Sequence, residues 1–187
     1  MASQLTSLPN LITMGRIAAI PFILVLAAAG DGTLRWLALI LFILAAASDW
    51  LDGYLARRSG QTSPLGQMLD PIADKLLVGA LLIVLAWDHS LSALDLVPAV
   101  AIMLREIFIA GLREFIGARA GAIKVSQLAK WKTTVQLVAL AFVIGEKLVP
   151  GIGLISDLLL WLAGLLTVIT GAQYLAGAWP HLKGDAS

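Results

Sequence analysis

The sequence predicts an all-α integral membrane bundle of six transmembrane helices, and three observations predict it. The 187 residues are 59% hydrophobic and only 13% charged, whereas a soluble domain carries about a quarter charged residues and under half apolar ones. Ionisable residues leave six long charge-free runs: Ile17 to Gly30, Trp36 to Ser48, Leu76 to Trp87, Leu96 to Leu104, Thr133 to Gly145 and Leu158 to Leu182. The charges bordering the first five runs fall on one side of an up-down bundle.

Each helix follows from its run and its nearest turn. A helix needs about 20 residues to cross about 30 Å of hydrocarbon, and only the sixth run supplies them. The other five must draw charges into the membrane. Gly30-Asp31-Gly32, Asp88-His89-Ser90 and Pro150-Gly151-Ile152-Gly153 read as turns and fix the direction of growth. The first helix therefore extends back through Arg16, Thr13 and Asn10, with Pro9 opening it. The second extends forward through Asp49, Asp52 and Arg57, and the third back through Asp74 and Asp70. The fourth runs forward through Arg105, Glu106 and Arg113, and the fifth back through Lys132 and Lys130.

That same side gathers ten of the 13 basic residues: Arg16, Arg57, Arg58, Lys75, Arg113, Arg119, Lys124, Lys130, Lys132 and Lys183. The positive-inside rule makes it cytoplasmic, with both termini inside. Arg105 lies within a span, and Arg35 and Lys147 fall opposite, so a polar cytoplasmic half should lie beneath an apolar outer half. Ile17 to Leu26 followed by Ala27-Ala28-Ala29 has the outline of a cleavable signal. The segment before it holds one Arg, at position 16, and no Lys; without a basic start the run reads as a retained span. No repeat, low-complexity tract or linker divides residues 1–187, which read as one transmembrane domain.

Composition also excludes chemistry. A net charge of +1 gives no electrostatic footprint for nucleic acid. With no cysteine there is no disulfide framework, thiolate nucleophile or Cys-ligated metal.

The informative stretch runs Asp49-Trp-Leu-Asp52-Gly53-Tyr-Leu-Ala56-Arg57, then, after a hairpin loop read from Arg58 to Pro64, Gly66-Gln-Met-Leu-Asp70-Pro-Ile-Ala-Asp74. Residues three or four apart share a helix face, so Asp49, Asp52, Gly53 and Ala56 line one stripe, and Gly66, Asp70 and Asp74 form a column on the next helix. Antiparallel neighbours can face these stripes together. Four carboxylates that close repel one another unless a cation neutralises them. All-oxygen ligation favours a hard divalent ion, Mg²⁺ or Mn²⁺. Glycine in a helix interior costs about 1 kcal/mol against alanine, so Gly53 and Gly66 beside the acids suggest room kept for a ligand, and Arg57 at the mouth can pair with phosphate or with an Asp. A structural alternative pairs the acids with Arg57, Lys75 and Arg105 to hold helices together, but intramembrane carboxylates are costly and usually functional.

The pattern D-x2-D-G-x2-A-R-x8-G-x3-D-x3-D, complete from Asp49 to Asp74, resembles the signature of the CDP-alcohol phosphotransferases, integral enzymes that move a phosphatidyl or similar group from a CDP-linked donor to an alcohol. The resemblance implies that family's six-helix fold. It implies that Asp49, Asp52, Asp70 and Asp74 hold two divalent ions, and that Asp74 is also the general base. Asp49, Asp52, Gly53, Ala56, Arg57, Gly66 and Asp70 would then bind the CDP moiety.

The signature does not choose the acceptor. Glu106 and Arg113, seven apart, share a stripe of the fourth helix, and Arg119, Lys124 and Lys130-Trp-Lys132-Thr-Thr134 follow. This basic cluster beside a carboxylate cleft suits an anionic acceptor. Arg113 and Lys130, nearer helix interiors, read as acceptor phosphate ligands, while Arg119 and Lys124 read as topology and headgroup contacts. Arg105 and Glu106 read as support. His89 and His181 fall at span ends, as do Trp36, Trp87 and Trp179 in an aromatic belt.

Leu104-Arg105-Glu106-Ile107, Leu112-Arg113-Glu114-Phe115, Ala129-Lys130-Trp-Lys-Thr-Thr and Pro9-Asn10-Leu11-Ile12-Thr13 followed by Arg16 are similar to the family's bacterial members that use CDP-diacylglycerol as donor and sn-glycerol 3-phosphate as acceptor. The resemblance implies a phosphatidyltransferase of the bacterial inner membrane. Siblings that use inositol phosphate, serine or phosphatidylglycerol stay open, as do a homodimer and a divalent-cation carrier built on the same acids.

Overall fold

A computed structural model gives the chain six helices: α1 (Leu8–Ala28), α2 (Gly32–Ser59), α3 (Pro64–Trp87), α4 (Leu96–Ile116), α5 (Gln127–Glu146) and α6 (Gly153–Leu182). It describes residues 8–29, 32–59, 64–117 and 127–183, with the side chains of 8, 9, 49–65 and 67 left out; the described residues contain no strand. By length and apolar composition, α5, α6 and Asn10–Ala28 of α1 are each able to cross a membrane, and Gly32–Ser48 is a shorter apolar helix. Large apolar side chains such as Phe22, Val25, Ile83, Leu158 and Val168 stand exposed, as lipid-facing residues do and an aqueous surface rarely tolerates in such number.

The hairpin read from Arg58 to Pro64 is shorter than expected. Helix α2 runs through Ser59 and α3 opens at Pro64, where a missing N–H costs nothing because the first helical donors lack intrahelical acceptors. Residues 60–63 lie outside those described.

The chain forms two compact units, one of residues up to Ser90 with Val143–Ile152, the other of Leu91–Phe142 with the segment from Gly153 onward. In the first, α1 packs on both α2 and α3. Ala27, Ala38, Ala45 and Ala73 are buried at these seams beside Ile23, Phe42, Leu81 and Leu85; small residues let helix backbones approach where lipid supplies no hydrophobic drive.

The end of this unit away from the signature acids is closed by polar groups. Arg35, placed by sequence opposite the basic side, is fully buried in the first turn of α2. Its Nε donates to Ile144 O at 2.8 Å and its Nη1 to Ala27 O at 3.2 Å, carbonyls in the last turns of α5 and α1 whose intrahelical donors have run out. The guanidinium also pairs with Asp88, just past α3, and donates to Ser90 Oγ at 2.6 Å. Lys147 adds a second cation, 3.2 Å from Asp88. One side chain thus closes the ends of three helices. His89, at φ +57°, makes the turn, a left-handed conformation uncommon outside glycine.

Burial pushes the Asp88 carboxyl up, but hydrogen bonds from Arg35 and Ser90 and the charge of Arg35 outweigh it and hold the pKa below the ordinary carboxylate range. A carboxyl depressed by folding stabilises the fold fully above its unfolded pKa and loses that contribution as pH falls through the folded value. Asp88→Asn is therefore expected to destabilise the protein near neutral pH by on the order of 3 kcal/mol, since it removes the negative charge from an ion pair in which both side chains are buried. It should also flatten the acid limb of a melting-temperature profile in detergent below pH about 4; an unshifted melting temperature at pH 7 would count against the clamp.

In the second unit α4 packs on α6. Gly164 lies so close to Pro98 that a Cβ there would stand 2.7 Å from the proline Cβ and 3.1 Å from its Cα. One position along, Ala163 is fully buried. Two turns further, Gly171 makes room for the stem of Arg105.

Candidate functional site

In the first unit, Gly66, Asp70 and Asp74 fall four residues apart along α3, which puts them on one face. Gly66 is buried and the acids are partly exposed. Facing them is a stripe of α1 that the charge-free runs disguise: Asn10, Thr13 and Arg16 are all buried, at i, i+3 and i+6. Thr13 Oγ1 donates to Asp70 Oδ1 at 2.7 Å. Arg16 Nη1 donates to Asp74 Oδ1 at 3.2 Å in an ion pair whose arginine side chain is 1% exposed and whose carboxylate is 46% exposed. Arg16 Nε reaches Ser48 Oγ at 3.3 Å on α2.

These contacts bear on the structural alternative. Within the first unit Asp74 pairs with Arg16, while Lys75 Nζ donates to Pro71 O at 3.0 Å; in the second, Arg105 pairs with Glu106. A polar stripe on an otherwise apolar helix is costly in a membrane, and the 10, 13, 16 spacing was the signal that could have marked Thr13 and Arg16 as site residues. Asp49, Asp52, Gly53, Ala56 and Arg57 belong to the helical backbone of α2, and their side chains lie outside the described residues. Among the described residues no three His, Cys, Asp or Glu gather as a metal site; the side chains of Asp49 and Asp52 are not in that set. The donors present are carboxylate oxygens with a hydroxyl alongside, a chemistry that suits a hard divalent cation.

The second unit carries the basic residues read as acceptor ligands and their support. Lys132 is buried and ion-pairs with Glu106, which Arg105 Nη1 also approaches at 3.1 Å. Arg105 and Glu106 thus pair with each other, and Lys132 joins them: a residue grouped by sequence with the basic cluster ties α5 to α4. Lys130, two positions earlier and so on another face, is exposed. Arg113 is exposed, with its guanidinium 5.5 Å from the centroid of the Tyr174 ring, within cation–π range. Arg119 and Lys124 lie outside the described residues. His181 is in the last turn of α6. Trp36, Trp87 and Trp179 are exposed at helix ends, with Lys183 over the Trp179 ring, which fits an interfacial belt.

Comparison with known proteins identifies the family. The CDP-alcohol phosphatidyltransferase family model matches residues 6–169. A curated CDP-diacylglycerol--glycerol-3-phosphate 3-phosphatidyltransferase of Rickettsia bellii is 42% identical over 171 residues, covering 90% of this chain and 93% of that protein. Proteins of the same name from Cereibacter sphaeroides and Bacillus subtilis are each 36% identical, covering 96% and 95% of this chain and 98% and 97% of their own lengths. Among solved structures, apo phosphatidylinositol phosphate synthase of Mycobacterium tuberculosis superposes with a TM-score of 0.66 at 20% identity, over 94% of this chain and 90% of that one; at that identity the likeness is one of fold. With a family match over most of its length, a shared fold and an intact run of signature residues from Asp49 to Asp74, the chain belongs to the CDP-alcohol phosphatidyltransferase family.

Proposed function

We propose that this enzyme transfers the phosphatidyl group of CDP-diacylglycerol to sn-glycerol 3-phosphate, giving phosphatidylglycerol phosphate and CMP. The observation that carries the reading is the run of relatives named for that activity, 36–42% identical over at least nine-tenths of this chain. The residues supply the chemistry. Asp74 accepts the proton of the acceptor's 1-hydroxyl as that oxygen attacks the β-phosphorus of CDP-diacylglycerol; the bond from that phosphorus to the bridging oxygen breaks and CMP leaves with the electron pair. Direct attack needs no covalent enzyme intermediate.

Asp49, Asp52, Asp70 and Asp74 would hold Mg²⁺ or Mn²⁺, two ions by the family resemblance, whose charge offsets the pyrophosphate and the leaving group. Gly53, Ala56 and Gly66 leave space along the helices for the CDP moiety, Asp49, Asp52 and Asp70 border it, and Arg57 pairs with its phosphates. Arg113 and Lys130 hold the acceptor phosphate. Residues 1–187 act as one membrane domain of six spans in the bacterial inner membrane, with the termini and the site on the cytoplasmic side, where the basic residues cluster. A homodimer is compatible with this reading.

The direct test is CMP release by the purified protein across a panel of alcohols: glycerol 3-phosphate, inositol phosphate, serine and phosphatidylglycerol. Glycerol 3-phosphate should give the highest kcat/KM, and preference for another alcohol would reassign the acceptor. Within that assay, Arg113→Ala and Lys130→Ala should each raise the KM for glycerol 3-phosphate by roughly 10- to 100-fold, the loss of one charge-assisted contact. The KM for CDP-diacylglycerol should barely move. Unchanged acceptor kinetics in both variants would return these residues to a role in topology.

A further inference from the structure

Arg16 bonds to both helices that carry the signature acids. Ser48 stands immediately before Asp49 on α2, and Asp74 is the last acid of the column on α3. The arginine is buried on α1, with Nε on Ser48 Oγ and Nη1 on Asp74 Oδ1. The Ser48 end of this bridge is itself held, because Ser48 Oγ donates to Ala45 O at 2.8 Å. One turn earlier on α1, buried Thr13 holds Asp70. A guanidinium is planar and rigid, with donors at fixed separation, so a buried one linking two helices limits how far apart those helices can stand.

We propose that Arg16 is a positioning residue that sets the spacing between the acids of α2 and those of α3, while Thr13 fixes the rotamer of Asp70, so that α1 preforms the site for a divalent cation. This rests on the cation-binding reading above. A role as mere counter-ion makes the opposite prediction: removing a positive charge beside four carboxylates should tighten divalent binding, because nothing then competes with the cation for the acids. A spacer predicts that binding weakens even though the site becomes more negative. Lysine separates the two further, since it keeps the charge but has no fork to reach Ser48 and Asp74 together.

The experiment measures Mn²⁺ binding to the purified, metal-stripped protein in detergent by electron paramagnetic resonance of the free ion, beside CMP release and thermal unfolding. Arg16→Gln and Arg16→Lys are both expected to weaken Mn²⁺ binding roughly 10-fold or more, the usual effect of losing a residue that orients metal ligands. Thr13→Val and Ser48→Ala, which keep the arginine and nearly the same volume, should weaken it in the same direction by less. Mn²⁺ bound by Arg16→Gln as tightly as by the wild type, or more tightly, would overturn the proposal. If the Arg16 variants do not fold, the decision passes to Thr13→Val and Ser48→Ala, and wild-type affinity in both would overturn it. A wild-type protein that binds no Mn²⁺ would overturn the cation reading and this proposal together, whereas unaltered variants beside a binding wild type overturn this proposal alone.

Discussion

Asp74→Asn is expected to lower the rate of CMP release by roughly 100-fold or more, the size of effect that loss of a positioned general base produces. Asparagine keeps the shape of the side chain and one oxygen, so it can still accept from Arg16 Nη1, which lies 3.2 Å from Asp74 Oδ1. What it cannot do is take the acceptor's proton. The fold should survive, because Arg16 retains a hydrogen-bond partner, and thermal unfolding in detergent should shift little beside the loss of rate. Donor binding, read as the KM for CDP-diacylglycerol, should change much less than kcat. A folded Asp74→Asn protein releasing CMP near the wild-type rate would mean that another group removes the proton, and the direct-attack mechanism would need a different base.

The second large effect concerns the cation. Exhaustive chelation should abolish CMP release, and Mg²⁺ or Mn²⁺ should restore it. The physical reason is repulsion: four signature acids would have to share one cleft with a pyrophosphate donor, and the Arg16 guanidinium paired with Asp74 offsets a single charge. Full turnover after chelation would remove the metal from the mechanism and leave the four acids without an explanation.

Much of this was legible in sequence because helical spacing is a local property. The column of Gly66, Asp70 and Asp74 follows from steps of four, and the growth of α1 back through Arg16 and Thr13 follows from a run too short to span. Periodicity names a face but not what lies against it. Arg35 reads as an isolated charge until Ile144, 109 residues away, supplies its carbonyl. Lys132 reads as one of a basic group until Glu106, 26 residues earlier, neutralises it. In both cases burial is decided by a partner distant along the chain, which no window of sequence contains. The loop before α3 was misjudged for a different reason: Arg58, Ser59 and Pro64 resemble turn residues in composition, yet a helix can end after the first two and begin on the third.

The clamp at Arg35 also fixes a thickness. Counted along the helices, Ser48 lies thirteen residues beyond Arg35, Arg16 eleven before Ala27, and Asp74 fourteen before Asp88. At 1.5 Å per residue the paths run from about 17 to about 21 Å, so the first unit carries two polar strata at roughly matched separation, with apolar helix between them. Tilt can only shorten that interval. The hydrocarbon of a bilayer is about 30 Å thick, so the strata cannot both rest at its surfaces. If Arg35 and Asp88 sit at one face, the acids lie roughly 10 Å beneath the other, and water and headgroups must sink to meet them. A donor anchored by its acyl chains would then reach the acids by lowering its head into the membrane, without lifting its tails out.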